Sequence, residues 1–224
     1  DGNKSLQLAA EGGSGNSPCS ITVWGYARNI TITNNQSLGV GAMGIAIQNF
    51  GGTGTINYVY VAGNTIRSKD TYGIMAYDAN ADRSVVDIQI VNNHVEDING
   101  VNGVTGNAGA GIYLASCFDC LVQGNYVKNS NFGTTGNSLA PGGIGINDAD
   151  NCIISDNKIV ECDYHAITVR NTDGFTLTGN NIMAPRYMAI EVWQSSNGTI
   201  TGNRMSSATN TEQMYYVKGS SDIV

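Results

Sequence analysis

The 224-residue chain carries 18 acidic and 11 basic residues, a net charge of −7, and no Lys/Arg cluster. That removes the electrostatic basis for nucleic-acid binding and for adsorption to an anionic bilayer. No run of about 18 apolar residues exists, so no membrane insertion is expected. The opening DGNKSLQLAA lacks a Met, a basic start and an apolar signal core, which suggests an excerpt or a processed chain. Charged residues make up only 13%, whereas 29 glycines and abundant Asn favour many turns. No window of ten residues has helical periodicity.

Taken in order, after a lead-in over residues 1–19, the chain repeats one shape: an alternating apolar run, then Gly, Asn or Asp before Asn, then an apolar residue two places on. It reads VYVAGNTI, IQIVNNHV, LVQGNYV, IISDNKIV, LTGNNIM and ITGNRM. The second residue of each pair is Asn35, Asn64, Asn93, Asn125, Asn157, Asn180 and Asn203, at steps of 29, 29, 32, 32, 23 and 23. A 23-residue unit with additions of 6 or 9 is the signature of a solenoid with loop insertions. The six-residue additions fall between the first and second strands of two coils. The nine-residue additions fall after the third strand, in HVEDINGVNGVTGNAGAG and YVKNSNFGTTGNSLAPGG.

Alternation predicts three strands per coil and their inward columns. The first column runs Ile45/Ile47, Ile74/Ala76, Ile112/Leu114, Ile144/Ile146, Ile167/Val169 and Ile190/Val192. The second runs Val59/Val61, Ile88/Ile90, Cys120/Val122, Cys152/Ile154 and Phe175/Leu177, and the third Ile66, Val95, Val127, Ile159, Ile182 and Met205. We expect the repeated Asn to sit in a left-handed bend and pair its amide with the Asn one coil away. Asn29, Asp119, Asn151 and Asn197, each six places earlier, suggest a second, less regular ladder. The five cysteines do not form paired zinc motifs, and their odd number argues against a fully bridged framework and for folding in a reducing compartment. Cys120 and Cys152 stack in one column, and reduced core thiols are the expected state.

With these features the sequence resembles the right-handed parallel β-helix of the pectate-lyase-like superfamily over residues 20–224. The expected fold is all-β, a single domain of about eight coils of three short strands, continuing beyond the last coil. Lyases, hydrolases, epimerases and phage tailspikes share this resemblance. It implies a polysaccharide groove on the outer face of the first strand, flanked by the two corners that carry the insertions.

Outward residues there include Tyr77, Tyr113, Asn147, Arg170, Glu191, Trp193 and Lys218, with Asp148 just beyond its strand and Tyr164 and His165 just before theirs. Two chemistries fit. Hydrolysis needs two carboxylates flanking the bond, for which Asp148 and Glu191 are the pair, with Asp163 or Asp150 as substitutes. Lyase or uronate C5-epimerase chemistry needs a base, His165 or Tyr164, and a cation, Arg170, for the enolate. Tyr77, Tyr113, Asn147, Tyr164, Trp193 and Lys218 are expected to bind sugar, the aromatics by stacking.

Asn171-Thr-Asp-Gly-Phe175 matches a short polygalacturonase motif, but its companion motifs are absent and it reads as a turn. Asp78-Ala-Asn-Ala-Asp82 resembles the start of a calcium loop, yet Arg83 and Gln89 stand where Gly and Glu belong, so Asp78, Asn80 and Asp82 make at most a loose calcium site and no cofactor is expected. The leading expectation is a tailspike-type helix, a homotrimeric virion tail appendage that binds and hydrolyses a bacterial surface polysaccharide. The alternatives are a secreted or periplasmic polysaccharide lyase or epimerase, and a non-catalytic structural or adhesive helix.

Overall fold

The computed structural model describes residues 6–7, 19–39, 41–49, 54–80, 83–98, 109–130, 141–206 and 213–224. Short β-rich runs separated by residues that tolerate left-handed backbone cannot form hairpins at this spacing, because each run finds its like only one repeat away. They stack as three parallel sheets, and there is no helix among the described residues.

Sheet one is nine-stranded. It takes Cys19–Trp24, Met43–Asn49, Tyr72–Asp78, Ala110–Ala115, Pro141–Asn147, His165–Arg170, Met188–Trp193 and Gln213–Lys218 in parallel, with Leu6–Gln7 antiparallel at the edge. Sheet two runs from Ala27–Thr33 through Ile56–Ala62, Val85–Val91, Leu121–Gln123, Cys152–Ser155 and Asp173–Thr178 to Ser196–Thr201. Sheet three is seven-stranded, from Gln36–Ser37 to Arg204–Ser206. The chain visits the sheets in turn and winds as a right-handed parallel β-helix. The predicted inward residues form one continuous core, with Met205 partly buried at its end.

The ladder amides pair along the stack. Each Asn Nδ2 donates to the Oδ1 of the Asn in the following coil, at 2.8–3.0 Å from Asn35 to Asn203. The left-handed bend is not at these residues. It lies one place earlier, at Asn34, Gly63, Asn92, Gly124, Asp156, Gly179 and Gly202, all with positive φ. The ladder Asn is thereby free to turn its amide inward, and Gly, Asn or Asp precedes it because those residues tolerate αL backbone. The second ladder is corrected in the same way. The equivalent position also holds Tyr58, Asp87 and Gly174, all at positive φ, so it is a bend shared by every coil and not a chain of paired amides.

The first strand of each coil begins two residues earlier than alternation predicts, and three earlier at Pro141, where the pairing with the next coil shifts register. Gly44, Gly73 and Gly111 turn inward, and a Cβ there would collide with Ile66, Val95 and Val127 of sheet three. Ala166 and Ala189 fill the same column in later coils. With two successive residues turned inward, the residue before them returns to the outer face. Tyr72 accordingly packs with Met75, Tyr77 and Tyr113 in a satellite cluster apart from the core. The same step sets His165 outward, in register with Pro141 and Met188.

All five cysteines are free, and four are buried. The Cys117, Cys120 and Cys152 thiols donate to backbone carbonyls, those of Ala76 and Ala115, Phe118, and Asp150 respectively, so these core positions are filled by small soft groups. The longer insertions lie mostly outside the described residues, at 99–108 and 131–140.

Candidate functional site

Three outward positions of one strand hold His165, Thr168 and Arg170, with Glu191 in register beside Thr168 one coil on. The Arg170 guanidinium donates twice to one Glu191 oxygen, from Nη2 at 2.6 Å and Nε at 3.1 Å. His165 Nε2 lies 3.9 Å from that oxygen. All three side chains are buried, His165 being 2% exposed and Glu191 4%. The cluster is thus an internal polar site and does not line an open trench.

Tyr164 and Tyr187 set their rings edge-on to the imidazole, at 5.8 and 5.6 Å between centroids. Burial, with the Arg170 charge adding to it, pushes His165 down from 6.5 to about 4. Glu191 does not restore the charged form, since its oxygen already answers Arg170. The ring is neutral at pH 7, Nε2 faces the carboxylate, and Nδ1 has no hydrogen-bond partner. A neutral imidazole with a ring nitrogen left unbonded is the form a general base takes.

This geometry has a consequence for acid stability. Between pH about 4 and 6.5 the unfolded chain binds the proton that the folded imidazole refuses, so ν is larger in the unfolded state and stability falls as the pH drops through that window. The loss attributable to His165 is expected to approach about 3 kcal/mol, fully present as destabilisation below the window. Urea midpoints from pH 7 to pH 4 measure it, and a His165→Gln chain should lack that component.

The hydrolytic pair does not assemble. Asp148 lies three residues past Gly145, which shares its register with Thr168 and Glu191. By strand rise and coil spacing the Asp148 and Glu191 backbones are about 14 Å apart, and Glu191 is committed to Arg170. Asp148 is an exposed αL corner residue, in line with Ser116, Asn171 and Gln194. Asn147 Nδ2 donates to it at 2.7 Å. Partial burial raises its carboxyl, the Asp150 charge adding and bonds from Asn147 and Asn171 opposing. The substitutes are engaged as well: Asp150 accepts from Arg83 at 2.6 Å and from the Asp173 amide at 2.8 Å, and Asp163 pairs with Arg186.

The expected sugar platforms are partly occupied. Tyr113 stacks on Tyr72 at 5.2 Å and 11°, and burial holds the Tyr72 phenol up at about 12. Trp193 lies between Arg170 and Lys218 in the register of sheet one. Their cations stand 5.1 and 5.2 Å from its ring centroid, so the indole already has two cationic neighbours. Tyr77 borders the satellite cluster, while Asn147, Tyr164 and Lys218 lie at the rim, Lys218 exposed.

At the calcium-like segment the Asp78 carboxylate accepts from the Asn80 and Ser84 amides and the Ser84 hydroxyl, which closes a turn. Asp82 lies outside the described residues. Among the described residues no three His, Cys, Asp or Glu are gathered to hold a metal ion. Sequence reasoning set Thr168 on the outward face without a role and passed over Tyr187. Tyr187 sits one coil from Tyr164 in a repeat of 23, and that spacing was the available signal.

A family model described as "Periplasmic copper-binding protein (NosD)" matches residues 134–223, and no curated protein matches the chain. Among solved structures, the chain is similar to the enzymatically active domain of bacteriophage CBA120 tailspike protein 2, at 18% identity and a TM-score of 0.59 over 83% of this chain and 27% of that one. It is also similar to the periplasmic alginate epimerase AlgG, at 15% identity and a TM-score of 0.62 over 92% of this chain and 48% of that one. The chain therefore spans between about a quarter and a half of these proteins. At such identity the likeness is one of fold. The chain is built as a right-handed parallel β-helix, with a buried imidazole–carboxylate–guanidinium cluster on the outer face of its first sheet.

Proposed function

We propose that this chain is a polysaccharide-binding and polysaccharide-modifying β-helix that removes the proton next to a uronate carboxylate, as a lyase or C5-epimerase does. One observation carries the reading: His165 is neutral, its Nε2 lies 3.9 Å from the Glu191 carboxylate that Arg170 engages, and its buried Nδ1 is without a partner. His165 Nδ1 takes the proton, and the electron pair moves toward the carboxylate as an enolate. In elimination the pair then expels the neighbouring glycosidic oxygen. In epimerisation a proton returns on the opposite ring face. Glu191 orients the imidazole, Arg170 fixes Glu191, and the Tyr164 and Tyr187 rings move aside to admit the sugar. The likeness to a periplasmic alginate epimerase supports this class of substrate and a periplasmic setting.

A tailspike-type hydrolase is the second reading, favoured by the raised carboxyl of exposed Asp148 and by the tailspike likeness, which would bring a tail appendage and homotrimeric assembly with it. Among the described residues, its expected partners Glu191, Asp150 and Asp163 are each engaged by an arginine.

The test is incubation with alginate, pectate and a panel of bacterial capsular and O-antigen polysaccharides. Reducing ends, ultraviolet absorbance of unsaturated sugar and deuterium uptake from heavy water are followed together. Absorbance, or deuterium uptake without cleavage, is the expected result. Reducing ends alone move the assignment to hydrolysis, and silence in all three leaves a non-catalytic binding or structural helix.

A further inference from the structure

Among the described residues, three buried side-chain polar atoms have no hydrogen-bond partner: Asn49 Oδ1, His165 Nδ1 and Thr168 Oγ1. Two of the three belong to one strand and one face of it. Folded chains rarely strand buried polar atoms, and two of them on one face of one strand mark a place where something else completes the bonding. Thr168 is 2% exposed. Its neighbours in register are Gly145, which has no side chain, and Glu191, whose carboxylate it does not bond. A hydroxyl set beside a carboxylate and left unbonded to it is presented to a different acceptor.

We infer that Thr168 is a substrate-binding residue whose hydroxyl donates to the carboxylate of the sugar that loses its proton to His165. This rests on the function proposed above and adds a residue to it. Two Arg170 donors are on Glu191, and the Thr168 hydroxyl adds a donor on the same face for the charge that builds on the carboxylate as the proton leaves. In a site closed to water a single pre-set hydroxyl has a large effect, because it need not reorganise as charge develops. The placement suits the task. Thr168 and His165 are three residues apart on one strand, about 7–10 Å by strand rise. A carboxylate attached to the carbon losing its proton bridges that gap with one hydrogen bond at the hydroxyl end.

The test compares Thr168→Val and Thr168→Ser with the unaltered chain. Val keeps the shape and removes the unsatisfied hydroxyl, so T168V is expected to keep or raise Tm, by about 2–4 °C where it rises. On whichever polyuronate is turned over, T168V is expected to lower kcat/KM on the order of 100-fold, mostly in kcat, while T168S retains most of it. A purely structural threonine would give the opposite sign in Tm and no recovery by Ser. A T168V chain of lower Tm, or of unchanged kcat/KM, overturns the inference and leaves the function standing.

If the unaltered chain turns over no polyuronate, calorimetric titration with mannuronate and galacturonate oligosaccharides decides. Binding lost in T168V and kept in T168S upholds Thr168 although the reaction has failed. No binding by the unaltered chain overturns both.

Discussion

His165→Gln is expected to leave the β-helix folded and to lower turnover of a polyuronate by about 10²–10⁴-fold. Gln replaces the ring with a side chain of similar reach that can still face Glu191, but it offers no basic nitrogen. The Arg170–Glu191 pair does not depend on the imidazole, so no buried charge is left alone. The loss should fall on kcat. In the unaltered chain kcat/KM should hold down to about pH 5 and decline as the imidazole, held near 4 by burial and Arg170, takes up its proton. Turnover unaffected by His165→Gln would remove the base from the site and return attention to Tyr164. Circular dichroism of the same preparation excludes a folding defect as the cause.

Asn157→Ala is the substitution with the largest expected cost in stability. Its amide Oδ1 accepts from the Asn125 backbone at 2.9 Å and from Asn125 Nδ2 at 3.0 Å. Its Nδ2 donates to the Val122 carbonyl at 2.9 Å and to Asn180 Oδ1 at 3.0 Å. Alanine strands these partners in a region closed to water, and leaving buried groups unpaired costs more than the net value of the bonds removed. A loss of about 3–5 kcal/mol is expected. Asn35→Ala is the control: Asn35 lies at the exposed end of the ladder, where water replaces what the amide provided, and should cost about 1 kcal/mol or less. Denaturant midpoints of the two variants measure the difference, and equal midpoints would refute the view that the ladder is held by its buried middle.

The repeat was legible because a solenoid writes its fold at fixed spacing: the Asn positions and apolar columns name the same contacts in every coil. What the spacing could not say is which residue of a Gly-Asn or Asp-Asn pair bends left-handed, since both types tolerate that backbone. The structure gives the bend to the first and the ladder to the second. The outward setting of His165 was only half legible, because strict alternation turns it inward and the doubled inward step at Ala166 and Ile167 reverses that. Glu191 was found as a residue of the right face and given a role its surroundings do not support. Arg170 stands one coil before Trp193, two residues on from Glu191, and only the rotamers decide that its guanidinium turns to the carboxylate while also lying over the indole. Thr168 was legible as an outward position but not as a residue with a role, for an outward Thr is what a plain β-helix face would have.

The parallel, in-register pairing of all three sheets also sets how the molecule carries force. Each coil is bonded only to the coils before and after it, so tension applied along the helix axis falls on the outermost coil and peels it from its neighbour, one layer of bonds at a time. Tension applied across sheet one, as by a chain of sugars held over several coils, is shared by many backbone bonds at once. A β-helix of this design resists a sideways pull far better than a lengthwise one, and the face that would hold a glycan is the face on which that strength can be used.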